Sequence, residues 1–145
     1  MLQVTYEATT LPSGMLADIG EERGRVQIRV HEPAPLEDVV RQLNIQVDRF
    51  LSRSEWYQLW RDEIVSRETP GCSLRVVYRI DRRAPAVGIG EKRGLVTVYI
   101  PPWTSVKEFA AAMNPTAREF LAGGHWFQHY AGEIIDISPE EFTGV

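Results

Sequence analysis

Hydrophobic and polar residues alternate in several short segments of the chain, a pattern typical of strands that bury one face. The alternation is clearest in residues 25–30, where Val26, Ile28 and Val30 share one side and polar residues take the other. Strands are also predicted over residues 3–8, 15–20, 74–80 and 95–100. We therefore expect antiparallel sheets with one face in the core.

Apolar residues follow a helical period after Pro35, a residue that suits the first position of a helix. They are Leu36, Val39, Val40, Leu43 and Val47. Helical character continues to about residue 67, which is too long for one helix of a small domain. Breaks near Asn44 and residues 53–54 predict two short helices and a third one that carries Trp56.

The second half of the chain marks the same breaks more strongly. Asn114-Pro115 is typical of a helix start, and Gly123-Gly124 is typical of a helix end. Ser105 and Glu108 have the spacing of a capping box, which predicts the start of the preceding helix at this point.

One segment of the chain occurs twice: residues 50–64 recur as residues 120–134. Residues 19–64 and 89–134 share thirteen identities at a constant offset of 70. Unrelated sequences would share about three, at roughly one chance match in sixteen. In the first copy the identical positions are Ile19, Gly20, Glu21, Arg23, Gly24, Val26, Asn44, Phe50, Leu51, Trp56, Gln58, Glu63 and Ile64. This conservation of order predicts a tandem internal duplication.

The duplication leads to a fold prediction. We expect an α+β protein made of two β-β-β-α(α) units, residues 1–70 and 71–145, with antiparallel sheets and helices packed on one face. The units are expected to pair with pseudo-two-fold symmetry into one compact domain, because each sheet alone would leave a bare face. The six predicted strands are compatible with one sheet, two facing sheets or a barrel.

Composition and charge narrow the class of protein. The chain has 145 residues, 43% of them hydrophobic and 25% charged, as in an ordinary soluble globular protein. Its net charge of −4 offers no basic excess for nucleic acid, and no apolar run approaches the roughly 20 residues that cross a bilayer. Cys72 is the single cysteine, which favours a reducing cytoplasm, and the N-terminus lacks the pattern of a signal peptide. The excess of Arg over Lys is typical of a bacterial protein.

The glycine-rich stretch Gly88–Gly94 lacks the spacing of a phosphate-binding loop and lies between two predicted strands. It therefore predicts a hairpin turn, as does its counterpart ending at Gly24. Arg23 and Arg93 recur in these turns, where they are expected to pair with Glu21 or Glu91 or to brace the neighbouring unit.

Four polar residues recur beside the repeated tryptophans: Gln58, Glu63, Gln128 and Glu133. We expect them to form buried hydrogen bonds to the backbone or across the pseudo-dyad, with Arg23 and Arg93 as partners of opposite charge. Trp56 and Trp126 are expected in the core, since aromatic residues at helical spacing usually pack there.

The strongest candidate for chemistry is a set of three residues, His125, His129 and Glu133. Spaced i, i+4, i+8, they would share one face of the predicted helix and could ligate a divalent metal. The first copy lacks both histidines, and the metalloprotease signature is absent. Ordinary histidines without a metal are the alternative.

No nucleophile–base pair or cofactor motif stands out, so a binding module is better supported than an enzyme. We expect a non-catalytic protein-interaction or accessory module, with no cofactor, whose partner is another protein rather than nucleic acid or membrane. The predicted protein-binding residues are Trp60, Trp103, Tyr130 and His129. The alternative is a small-molecule or metal-binding protein or small enzyme with a site between the repeats that uses His125, His129 and Glu133.

Overall fold

The computed structural model describes residues 2–22, 24–53, 56–60, 63–66, 74–92, 94–130 and 133–138 of the chain. Only the backbone is described for Trp60, Glu63, Ile64, His129, Tyr130, Glu133 and Ile135. In order, the elements are β1 (Gln3–Thr9), β2 (Ala17–Glu22), β3 (Arg25–His31), α1 (Leu36–Arg53), β4 (Trp56–Trp60), β5 (Glu63–Ser66), β6 (Arg75–Ile80), β7 (Gly88–Lys92), β8 (Leu95–Ile100), α2 (Val106–Ala122), β9 (His125–Tyr130) and β10 (Glu133–Asp136). The fold is α+β, as predicted.

The strands of the described residues form three small sheets. Two are mixed and three-stranded, with strand orders β1-β3-β2 and β6-β8-β7. The central strands are β3 and β8. Each runs parallel to one neighbour, β1 or β6, and antiparallel to the other, β2 or β7. The third sheet is antiparallel, in the order β10-β9-β4-β5. The prediction of purely antiparallel sheets is therefore wrong for the two mixed ones.

The turn glycines and the predicted start of α2 are confirmed, but most of the predicted turn Gly88–Gly94 is strand β7. Gly24 and Gly94 both have a φ of +87°, the left-handed conformation that glycine adopts without strain. Ser105 caps α2: its side chain accepts from the backbone N–H of Glu108 at 3.0 Å, and the Glu108 carboxylate accepts from the Ser105 backbone at 3.1 Å. The turn residues Arg23 and Arg93 lie outside the described residues.

The predicted division into three helices is wrong. Helix α1 runs unbroken past Asn44, and α2 runs unbroken past Asn114 and Pro115. The segments after them are strands: β4 and β5 in the first half, β9 and β10 in the second. These segments of four to six residues are too short to show a period, and their aromatic and β-branched residues favour strands.

Each helix packs on the sheet from the other half of the chain, α1 chiefly against β6 and α2 chiefly against β1. Asn44 fixes the first contact: its amide accepts from the backbone N–H of Tyr78 at 2.7 Å and donates to the Tyr78 carbonyl at 2.9 Å. Asn114 makes the same two bonds with Tyr6, at 2.6 and 3.0 Å. Strands β1 and β6 are sheet edges, so each side chain takes the place of a missing neighbouring strand.

The core lies between the two helices and the inner faces of the mixed sheets. Its fully buried side chains include Val39, Leu43, Phe109 and Met113 from the helices, and Val98 and Ile100 from β8. No helix in the described ranges is long and apolar enough to cross a membrane.

Replacing Asn114 by Ala is expected to destabilise the fold by about 1–3 kcal/mol, because it leaves the Tyr6 N–H and carbonyl without partners beside α2. Urea unfolding followed by circular dichroism measures this. Asn114→Asp is expected to lose part of the same stability, since a carboxylate cannot donate to the carbonyl. Glu119→Ala, on the exposed side of α2, is the control; equal stability of the Asn114→Ala and Glu119→Ala variants would contradict the role given to Asn114.

Candidate ligand site

A cavity of about 100 Å³ lies within the core, lined by residues from both halves of the chain. Its lining is almost entirely aliphatic and aromatic: Val4, Tyr6, Ile19, Val26, Ile28, Val47, Phe50, Leu51, Trp56, Leu74, Val76, Tyr78, Ile89, Val96, Val98, Met113, Ala117, Phe120, Leu121 and Trp126. Among these residues only the tyrosines and tryptophans carry polar side-chain atoms. The site is therefore suited to an apolar molecule rather than to a charged one.

The wall of the cavity reaches the molecular surface at the ends of both helices. Phe50 and Phe120 line the cavity and are only partly buried. Each packs against a tryptophan of the strand that follows, Phe50 on Trp56 with ring centroids 5.6 Å apart and Phe120 on Trp126 at 6.1 Å. These aromatic pairs form part of the cavity wall near the C-terminal end of each helix.

Two tyrosines meet in the wall of the cavity. The hydroxyls of Tyr6 and Tyr78 are 2.5 Å apart and buried. Both rings rest edge-on against Phe109, at centroid distances of 5.9 and 6.1 Å. Burial raises the pKa of both phenols well above the ordinary value of 10.0, so both remain protonated at physiological pH.

A polar cluster borders the apolar core where β2 faces the antiparallel sheet β10-β9-β4-β5. Glu21 is on β2, two residues from the cavity-lining Ile19, and accepts hydrogen bonds from two side chains. Trp56 donates its indole N–H at 3.0 Å, and the Gln128 amide donates to both carboxylate oxygens at 3.0 Å. Glu21 therefore joins the first mixed sheet to both central strands, β4 and β9.

A second such cluster has fewer hydrogen bonds. Glu91 on β7 accepts from the Gln58 side chain of β4. Glu91 Oε2 and Gln58 Oε1 are buried with no hydrogen-bond partner among the described residues, and the same holds for Gln128 Oε1. Trp126 does not supply the missing donor, because its indole N–H donates to the Leu121 carbonyl at 3.1 Å.

Burial raises the pKa of the Glu21 and Glu91 carboxyls above the ordinary value of 4.5. Hydrogen bonds oppose this rise at Glu21, where Gln128, Trp56 and the Gly24 backbone all favour the ionised form. Gln58 alone has this effect at Glu91.

The predicted burial of Gln58 and Gln128 is found, with 3% and 5% of each residue exposed. Their partners differ from the predicted ones: Gln128 bonds the Glu21 carboxyl and Gln58 bonds the Glu91 carboxyl, and the predicted arginines lie outside the described residues. Of Glu63 and Glu133, the structure describes only the backbone, in β5 and β10.

The predicted helix face of His125, His129 and Glu133 does not exist. His125 and His129 lie on strand β9, and Glu133 lies across the hairpin on β10, paired with Tyr130 rather than with either histidine. His125 is partly buried, and its ring packs edge-on against Phe127 at a centroid distance of 6.4 Å. Among the side chains that the structure describes, no three His, Cys, Asp or Glu residues are grouped to hold a metal.

Of the predicted protein-binding residues, Trp103 follows β8 and is 68% exposed. Trp60, Tyr130 and His129 have described backbones in β4 and β9, and their side chains lie outside the described set. Cys72 also lies outside the described residues. The part played by these residues in binding stays a prediction.

The sequence analysis did not identify Tyr6, Tyr78 or Glu91 as site residues. The signal that could have found the tyrosines is a polar-tipped residue at an inward position of an alternating segment. Glu91 repeats Glu21 beside a turn, but its place on the inner face follows from the strand register, which pairs it with the buried Val96.

Comparison of the chain with protein-family models, with curated proteins and with solved structures finds no match.

Glu91→Gln is expected to raise stability by about 1 kcal/mol at neutral and alkaline pH, because the new amide can donate to the unsatisfied Gln58 Oε1. A raised carboxyl pKa contributes stability in full below the unfolded value of 4.5, and that contribution is lost as the pH rises through the folded pKa. The advantage of the variant should therefore shrink in acid.

Urea unfolding over a range of pH measures this difference. Glu22→Gln on the exposed side of β2 is the control and should not gain stability at neutral pH. A Glu91→Gln variant that is less stable than the unaltered chain at neutral pH would show that the ionised carboxylate is required.

Proposed function

We propose that the chain is a non-catalytic binding protein and that its cavity holds a small apolar molecule. The observation that carries this proposal is the apolar lining of a cavity between the two halves of the chain, with Trp56 and Trp126 in its wall. Protein interiors are packed so closely that voids larger than a water molecule are few. An apolar cavity of about 150 Å³ in another protein binds benzene, so a site of about 100 Å³ suits a ligand of similar or smaller size.

The repeat supports this location for the site. Nine pairs of lining residues match between the halves, at offsets of 70 or 72, from Val4 with Val76 to Trp56 with Trp126. We propose that a tandem duplication produced two pseudo-symmetric β-β-β-α-β-β units and that the cavity lies at their junction. The same element order in both halves, including two matching hairpins after the helices, supports it.

The absence of a second cysteine supports a reducing compartment, and we propose a cytoplasmic, bacterial protein on the basis of cysteine content and the excess of Arg.

Filling the cavity is expected to weaken binding of a ligand there. Ala117 lines the cavity from α2, and Ala117→Leu would occupy the space that a ligand needs. Benzene is the probe, and its binding is measured by an NMR titration of backbone amides or by the change in tryptophan emission. We expect affinity to fall at least tenfold, a loss of about 1.4 kcal/mol.

Ala111→Leu is the matched control, since Ala111 lies on the exposed side of the same helix. Benzene that binds the unaltered chain and both variants equally well would place its site elsewhere. Benzene that binds none of them would contradict the proposal.

A second candidate function is interaction with another protein, which is the function that the sequence patterns predict. The exposed Trp103 beside the exposed Pro102 supports it, because tryptophan is enriched among the residues that contribute most to interfaces. A protein partner and a small ligand are compatible, since Trp103 is not among the lining residues of the cavity.

Trp103→Ser is expected to weaken capture of a specific partner by at least about 2 kcal/mol, the loss typical of a dominant interface residue. Co-purification with quantitative mass spectrometry compares the variant with the unaltered chain. Leu95→Ser, at another exposed hydrophobic position, is the control. A partner that both variants retain fully would not bind through Trp103.

A further inference from the structure

We propose that the ligand of the cavity carries a hydrogen-bond acceptor, such as a carbonyl or ether oxygen, and that the Tyr6–Tyr78 pair donates to it. This inference rests on the proposed binding of an apolar molecule and adds the chemical class of that molecule. It follows from a count of donors in the cavity wall.

Each phenol has one O–H donor. The two hydroxyls are 2.5 Å apart, so one of them donates to the other. The hydroxyl that accepts keeps its own hydrogen, which needs a second acceptor. Among the residues that the structure describes, neither hydroxyl has another hydrogen-bond partner. One buried donor is therefore unused.

Burial makes this unused donor significant. Tyr6 is 7% exposed and Tyr78 is 3% exposed, so solvent has little access to either hydroxyl. Leaving a buried polar group without a partner costs about 1–3 kcal/mol. Both tyrosines line the cavity, and both phenols stay protonated because burial raises each pKa. An acceptor atom on a molecule in the cavity would use the remaining hydrogen.

The surroundings fix the position of the pair. Phe109, which is fully buried, supports both rings edge-on, while Asn114 and Asn44 hold the backbones of Tyr6 and Tyr78. The hydroxyl pair is consequently a preorganised donor in an otherwise apolar wall, and such an arrangement selects a ligand by one polar atom. A purely hydrocarbon ligand would leave that donor unsatisfied.

The experiment compares cyclopentanone with methylenecyclopentane, which match in shape and differ in having C=O or C=CH₂. NMR titrations give the ratio of their two dissociation constants for the unaltered chain and for the double variant Tyr6→Phe/Tyr78→Phe. We expect the relative preference for the ketone to fall by roughly two- to tenfold in the double variant, the range of one hydrogen bond. Either single variant keeps one phenol without an internal partner, so it should retain the preference.

Tyr99→Phe is the matched control, because Tyr99 on β8 is partly exposed and is not among the lining residues. Circular dichroism checks that every variant is folded. A ratio that is equal in the unaltered chain and the double variant would overturn the assignment of the donor while leaving cavity binding intact. Failure of benzene, the ketone and the hydrocarbon alike to bind the unaltered chain would instead overturn the proposed function.

Discussion

One asparagine side chain in each helix holds that helix to an edge strand of the mixed sheet from the other half of the chain. A primary amide has the donor and acceptor of a peptide group, so Asn44 and Asn114 satisfy both backbone groups of Tyr78 and Tyr6. Each helix thereby covers part of one edge of a mixed sheet, β6 or β1, where a further strand could otherwise pair. The positions of the two phenols, and with them the shape of the cavity wall, follow from these four bonds.

Much of the fold could be predicted from local sequence signals. The alternation in residues 25–30, the turn glycine Gly24 and the capping pair Ser105–Glu108 depend on few neighbours, and the structure confirms each of them. Asn44 was misread because its propensity to cap a helix is local, whereas its actual bonds are to a strand more than thirty residues away. Tertiary contacts decided that position.

The strands after the helices were missed for a related reason. A segment of five residues such as Trp56–Trp60 has too few positions for a period of two to be distinguished from a period of 3.6. Its pairing partner, His125–Tyr130, lies almost seventy residues further along, so only the register reveals that Gln58 faces Trp126. The burial of Gln58 and Gln128 could be predicted from the sequence. Their bonds to Glu21 and Glu91 could not, because they depend on how separate sheets pack together.

The indole groups of Trp56 and Trp126 have different electrostatic surroundings although they line the same cavity. Trp56 donates its N–H to Glu21, a group whose charge changes with pH, whereas Trp126 donates to a backbone carbonyl, whose charge does not change. The emission of an indole depends on the charges near its ring. We therefore expect the emission of Trp56 to change with the protonation of Glu21, whereas the Trp126 indole is bonded to an acceptor that does not titrate.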